Sequence, residues 1–426
     1  MSTARPSRLV RSAAALEAFL GRHRTNAVRA AVLVAVAEGL RIVVARKMGD
    51  FGAVYSALHR LVTGEPLYVG SSISIAYVYS PFVALVLAPL GMMSAGAARF
   101  VWFLGTWAVL AAAWRLAARL LAYGAPDTTG RRALAVAGVW CFAYDNGLIG
   151  QATPFMLALV LLAEQASRAG RALLAGLSIA AAMLVKPFPA LLLVSYALRR
   201  RGGVVAWTLL FVALGLALPA LWFDAGYGQV LRAWRDVNHQ QQMLYDITSW
   251  SHQSISALVY RLAGRRRPRP FALDLHDPVA VAIAGVVGAL LAVTVWATVA
   301  TRNGASPIRR EAAYALYMLD WALLPPTSWK HYYVTLLFPA AVLARLAVEP
   351  GRWRRASQAM LATLALTEVA LLAVRPPPRQ FVLFEWSACV WLGLATFALL
   401  AAVALRPDDG GPVAQSNDSS RSTRTW

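Results

Sequence analysis

The sequence predicts an all-α polytopic membrane protein, and three observations carry that expectation. Of 426 residues, 59% are hydrophobic and only 14% are charged, with a mean hydropathy of +0.54, against about 25% charged residues in a soluble chain. Apolar runs recur from near residue 26 to near residue 404, and at about 20 residues each is long enough to cross about 30 Å of hydrocarbon. The runs are continuous stretches of Ala, Leu and Val, without the alternation that a membrane-barrel strand requires. Soluble enzymes, secreted disulfide scaffolds and nucleic-acid modules are thereby excluded.

Taken in order, residues 1–25 are polar and basic (Arg5, Arg8, Arg11, Arg22, Arg24) and precede the apolar run Ala27 to Ala45, which exits at Arg46-Lys47. A cleaved signal peptide has a shorter core and small residues at its exit, so this run reads as a signal anchor with a cytoplasmic basic N-terminus. The first external loop, 46–76, carries Val54, Tyr55, Leu58, Leu61 and Val62 at helical spacing, which predicts an interfacial amphipathic helix resting on the membrane surface. Gly64-Glu65-Pro66 then ends that helix and turns the chain. A second span runs from Tyr77 to Met93, and further apolar segments follow near 98–122, 132–148, 152–167, 172–186, 188–199, 204–222, 279–300, 311–326, 332–347, 357–374 and 384–404.

Basic clusters at Arg168/Arg171, Arg199/Arg200/Arg201, Arg302/Arg309/Arg310 and Arg352/Arg354/Arg355 mark cytoplasmic loops. Loops 46–76, 223–278, 327–331 and 375–383 then fall outside. The two runs between 98 and 148 together make one net crossing, which leaves one of them re-entrant or interfacial. The sum is a transmembrane domain over 26–404 with about 12 spans and a polar, disordered tail over 405–426. Lys and Arg number 41 against 20 Asp and Glu, a net charge of +21. In a membrane protein this excess selects anionic lipid head groups as partners, and no nucleic acid. Cys141 and Cys389 lie in or beside apolar stretches and offer neither a disulfide framework nor a zinc cluster.

Ionisable groups in or beside a bilayer are costly and are candidates for function. The external side collects several. Asp50, in Gly49-Asp50-Phe51 where the first span emerges, is either an ion-paired surface carboxylate or a base able to take a proton from a hydroxyl acceptor. Lys186, in Lys186-Pro187-Phe188-Pro189, stands at the tip of a helical hairpin whose basic flanks are cytoplasmic; it is either a snorkelling lysine or a point charge for a lipid-linked phosphate. Trp329-Lys330-His331-Tyr332 follows Pro325-Pro326 and reads either as part of the interfacial aromatic belt or as a place where rings stack on a pyranose and donors bind its oxygens. Gln151 closes Asp145-Asn146-Gly147-Leu148-Ile149-Gly150-Gln151.

The loop 223–278 holds Asp236-Val237-Asn238-His239-Gln240-Gln241-Gln242 and Ser249-Trp250-Ser251-His252-Gln253-Ser254, amides and imidazoles suited to a polyhydroxylated group or to a solvated loop. Glu65 reads as a turn residue, Arg265 to Arg269 as a solvated or lipid-touching run, and Glu164 and Glu385 as structural. Asp320, within a span, needs a partner. There is no Gly-Lys-Ser/Thr phosphate loop for ATP, and no Asp-x-Asp pair in the first external loop to hold a divalent metal on a nucleotide sugar.

In order along the chain, Asp50-Phe51 with Tyr55 and Ala57, Gly64-x-x-Leu67-Tyr68, Tyr79-Ser80-Pro81, Gly150-Gln151, Lys186-Pro187-x-Pro189 and Ser328-Trp329-x-His331-Tyr332 resemble glycosyltransferase family 87. The resemblance runs from about residue 45 to about residue 345. It implies a GT-C type helical bundle that takes its sugar from a polyprenyl phosphate, as do a mycobacterial mannosyltransferase of phosphatidylinositol mannosides and an arabinofuranosyltransferase of the same family. By that resemblance Asp50 is the catalytic base of an inverting transfer that turns a β-linked donor into an α-glycoside. His331 and Lys186 are donor contacts, and Lys330, Gln151, Tyr55, Tyr68, Tyr332, Trp329 and His252 complete the expected substrate-binding set. Mannose is the expected sugar and a lipid-linked or glycan hydroxyl the acceptor, with no cofactor and no metal. The expected location is the cytoplasmic membrane, with the active site on its outer face. Alternatives are an arabinofuranosyltransferase, a lipid-linked glycan polymerase or ligase and, from another class, a secondary transporter, although the transporter hallmark of repeated halves is not visible.

Overall fold

The computed structural model describes residues 33, 36–41, 48–70, 76–122, 135–223, 226–244, 246–265, 276–373, 383–384 and 386–407. The basic segment 1–25, most of the run from Ala27 to Ala45, Arg46 and Lys47, Arg266 to Arg269, Glu385 and the tail beyond 407 lie outside the described residues.

The described chain is helical, and no strand is found among the described residues beyond an isolated bridge between His252 and Trp329. In chain order the helices are α1 (Gly49–Thr63), α2 (Pro81–Gly91), α3 (Ala95–Leu120), α4 (Trp140–Ile149), α5 (Thr153–Arg168), α6 (Ala172–Val185), α7 (Leu191–Leu198), α8 (Gly202–Ala217), α9 (Ala220–Phe223), α10 (Tyr227–Leu244), α11 (Ile255–Leu262), α12 (Pro278–Ala300), α13 (Pro307–Leu323), α14 (Leu337–Val348), α15 (Arg354–Ala373) and α16 (Ala388–Leu405). Two 3₁₀ stretches, Phe188–Ala190 and Lys330–Leu336, lead into α7 and α14. Proline at the first turn starts α2, α5, α12 and α13, where the missing N–H costs nothing. Side-chain caps from Ser94, Ser254 and Asp277 start α3, α11 and α12.

Five helical stretches among the described residues are long and apolar enough to cross a membrane: Ala95–Leu120, Gly202–Phe223, Pro278–Ala300, Lys330–Val348 and Ala388–Leu405. The protein is therefore a helical membrane protein. Residues of α13 and α14 are buried on nearly every side, and α16, α15, α12 and α3 close around them. At the periphery, Leu209, Leu210 and Trp296 remain exposed on α8 and α12, the apolar outward face that lipid covers. Between 98 and 148, α3 has the length of a crossing, whereas α4 has ten residues, about 15 Å of rise, which is half a bilayer.

α1 forms where the apolar spacing predicts it, but protein covers its apolar stripe. Phe51, Val54, Leu58 and Leu61 are buried, and the helix packs along α2. The approach is close: a Cβ on Gly91 would meet the Leu58 carbonyl oxygen at 2.4 Å. Only Val62, of the residues read as lipid-facing, is exposed. Gly64, with φ 78°, ends α1, and its N–H reaches the Arg60 carbonyl, so Gly64-Glu65-Pro66 is the turn that the sequence predicts.

Candidate functional site

One end of the bundle holds a cavity of about 300 Å³ lined from six separate parts of the chain. Asp50 enters from the first turn of α1, Tyr77 and Tyr79 from the segment before α2, and Gln151 from the turn between α4 and α5. Lys186 and Phe188 come from the α6–α7 turn, Asn238, Gln241 and Gln242 from α10, and Trp329, His331 and Tyr332 from the 3₁₀ entrance to α14.

Local geometry explains why these residues meet. Met48, immediately before α1, is buried and holds φ 76°, a left-handed conformation that a bulky residue adopts at a cost. Gly150, at φ 77°, turns the chain out of α4 against this corner: a Cβ there would meet the Phe51 Cβ at 2.4 Å. The Gly150 carbonyl accepts a hydrogen bond from the Trp102 indole at 3.1 Å, and Trp102 stacks on Phe51. The two turns are thus locked together, and the next side chain, Gln151, donates from its amide to the Asp50 carboxylate.

Lys186 extends the chain of polar contacts. Its ammonium donates to Gln151 Oε1 at 3.1 Å and to the Tyr332 hydroxyl at 2.9 Å, and lies 4.4 Å from the centre of the Tyr332 ring. The proline-opened turn is what brings it here: α6 stops at Val185, Lys186 is extended, and the chain returns through Phe188–Ala190. Burial raises the Asp50 carboxyl above its ordinary range, while the Gln151 hydrogen bond and the Lys186 ammonium draw it back down and the Asp145 charge adds to the rise. The resulting Asp50–Gln151–Lys186–Tyr332 array offers an acceptor at one end and a cation with a hydroxyl at the other.

The 3₁₀ turn divides its residues among three directions, because three residues complete one turn. His331 and Tyr332 face the cavity, and their rings lie 4.9 Å apart. His331 also meets the Trp329 ring edge-on at 5.5 Å, and its carbonyl accepts from the Asn146 amide at 2.7 Å. Lys330 points elsewhere, to the Asp145 carboxylate at 3.0 Å and over the Phe384 ring.

Of the residues expected from sequence, Asp50, Gln151, Lys186, Trp329, His331 and Tyr332 converge on the cavity, and Lys330, Tyr55, Tyr68 and His252 stand outside its lining. Tyr55 donates to the Met93 carbonyl at 2.9 Å and stacks on His59. Tyr68 is buried behind the wall and donates to the Tyr79 carbonyl at 2.7 Å. His252 backs Trp329 edge-on at 5.5 Å, and burial together with the Arg261 guanidinium pushes its imidazole down to about 4, so it is neutral near pH 7. Tyr77, Tyr79 and Phe188 are lining residues that the sequence reading did not single out for substrate. The signal for the tyrosines is the alternation in Tyr77-Val78-Tyr79; their rings meet edge-on at 5.6 Å, and the Val78 carbonyl between them accepts from Trp234 and Asn238. No three His, Cys, Asp or Glu side chains among the described residues stand close enough together to hold a metal ion.

Residues 77–325 match the family model of glycosyltransferase family 87. No curated protein and no solved structure matches the chain. The match covers more than half of the 426 residues, and the chain therefore belongs to glycosyltransferase family 87.

Proposed function

We propose, from that membership, that this membrane glycosyltransferase moves a sugar, mannose in our reading, from a polyprenyl phosphate to a hydroxyl of a lipid-linked or glycan acceptor. In this reading Asp50 is the base. The acceptor oxygen attacks the anomeric carbon, its proton passes to the Asp50 carboxylate, and the bond from that carbon to the phosphate oxygen breaks. Attack from the face opposite the leaving group inverts a β-linked donor to an α-glycoside. Lys186, with the Tyr332 hydroxyl beside it, faces the departing phosphate and offsets its charge, so no divalent metal is needed. Trp329, Tyr77 and Tyr79 offer ring faces to the sugar, His331 a donor, and Gln241 and Gln242 amides for its hydroxyls.

The observation that carries this reading is the hydrogen-bonded run from Asp50 through Gln151 to Lys186 and Tyr332 along one cavity wall. A carboxylate and a phosphate-sized cation separated by one amide suit a reaction that releases a proton at one point and a phosphate at another. The same reading sets the chain in the cytoplasmic membrane with about 12 spans, the cavity on the outer face, and α1 at the level of the outer head groups. Incubating membranes with radiolabelled polyprenyl-phosphate mannose tests it. Label appearing in a lipid or glycan product supports the transfer, and label that crosses the membrane without entering a product points to a transporter instead.

A further inference from the structure

A second cavity, of about 330 Å³, opens at the far end of the same helices. α5 begins beside Gln151 and ends at Arg168; α6 runs back from Ala172 and stops before Lys186; α7 returns from the Phe188–Ala190 turn and stops before Arg199; and α13 runs from Pro307 to Leu323, just short of Pro325. At 16 and 17 residues, α5 and α13 separate the two cavities by about 25 Å, close to the thickness of the hydrocarbon layer. Arg168, Arg199, Arg201, Arg302 and Arg310 line this second cavity with one carboxylate, Glu164.

Part of this charge is structural. Arg168 donates to Glu164 at 2.9 Å and to both oxygens of Glu311 at 2.5 and 2.7 Å, and Arg199 reaches Glu164 at 3.3 Å. The remainder is not neutralised in this way. Arg201 donates to the Ser167 carbonyl at 2.8 Å and Arg302 to the Leu198 carbonyl at 3.4 Å, while Arg310 is exposed at the rim. The Nη2 nitrogen of Arg199 is buried and has no hydrogen-bond partner. Five guanidiniums thus surround a pocket with two carboxylates: Glu164 in the lining, shared by Arg168 and Arg199, and Glu311 behind it, held by Arg168.

The geometry points to a binding site for a phosphate-bearing anion at this end of the molecule, with the phosphate of an acidic phospholipid in that leaflet as the occupant. Guanidinium forks match phosphate oxygens in pairs, and a hydrocarbon thickness from the sugar cavity the rim stands at the level of the opposite leaflet's head groups. The site is separate from the transfer chemistry and anchors the arginine-lined ends of four helices whose other ends lead to Gln151, Lys186, Phe188 and Pro325.

Purified full-length protein tests this in two arms, with Arg302→Gln/Arg310→Gln as the variant, since neither side chain holds a carboxylate. In detergent, melting is followed against inorganic phosphate, with chloride at matched ionic strength as control. In nanodiscs, melting is compared between pure phosphatidylcholine and mixtures with phosphatidylglycerol. Stabilisation by phosphatidylglycerol, with a response about tenfold weaker in the variant, supports the lipid occupant; stabilisation by phosphate alone assigns the same site to a soluble phosphate. A wild-type protein indifferent to both, a phosphate response equal to that of chloride, or a variant that responds as the wild type does, overturns the proposal. If the double variant does not fold, Arg310→Gln alone is read in the same way.

Discussion

The two ends of α5, α6, α7 and α13 are built on opposite plans. At the Asp50 end, one carboxylate and one ammonium are joined by an amide and surrounded by aromatic rings, and the backbone is broken into turns that pack almost without gap. At the other end, five guanidiniums crowd a cavity with one lining acid and the helices simply end. The first plan spends backbone irregularity to place a few groups to within a hydrogen bond of one another. The second relies on net charge, which tolerates imprecise placement because charge acts over several ångströms. Substitutions at the two ends are therefore expected to fail differently: through rate at the first, and through stability at the second.

The largest expected effect is that of Asp50→Asn. It removes the proposed base while nearly keeping its shape, and turnover should fall about 10²-fold or more with donor binding retained. Turnover at the wild-type level would erase the contrast between the ends. Next comes Arg168→Met at the arginine end, where Glu311, 1% exposed, loses both of its guanidinium bonds. A loss of about 3 kcal/mol is expected, read as a lowered denaturation midpoint in detergent, with residual activity falling only in proportion to the folded fraction.

Gly150→Ala should cost about 1–3 kcal/mol, because its Cβ has nowhere to go between Phe51 and Met48 and its φ is positive. Unlike the arginine change, it should also lower turnover in the protein that remains folded, since it moves Gln151 away from Asp50. A variant with normal turnover per folded molecule would show that the turn does not position the acid.

The smallest effect is one of pH. The base works ionised, and burial raises the Asp50 carboxyl above the ordinary carboxylate range, so the acid limb of log kcat/KM should lie above that range. The Lys186 ammonium pulls the carboxyl down and the Asp145 charge pushes it up. Lys186→Met should therefore move the limb to still higher pH, whereas Lys330→Met, at the pair with Asp145, should not lower it. An acid limb that stays in place in Lys186→Met would mean that another group titrates.

Much of this arrangement was legible in the chain, and the exceptions have physical causes. Apolar runs marked the helices, and the Arg clusters at 168–171, 199–201 and 302–310 marked one face, because each signal is local. The Lys186-Pro187-Phe188-Pro189 break could be read as a hairpin tip because proline opens the helix. The amphipathic spacing of α1 predicted the helix but not its cover, since Phe51, Leu58 and Leu61 present the same stripe to lipid or to α2. Sequence adjacency groups Lys330 with its neighbours and hides the 120° step of a 3₁₀ turn, which sends it to Asp145. Beyond its positive φ, the need for glycine at 150 arises from Phe51 and Met48, about a hundred residues earlier, and no local pattern reports such a contact.

The most direct test of the central claim is a structure of the full-length protein with a polyprenyl-phosphate sugar bound. The account predicts the phosphate within hydrogen-bond reach of Lys186 or the Tyr332 hydroxyl, the sugar against Trp329 and His331, and space for an acceptor hydroxyl beside Asp50. A donor seated elsewhere, with Asp50 remote from its anomeric carbon, would contradict it.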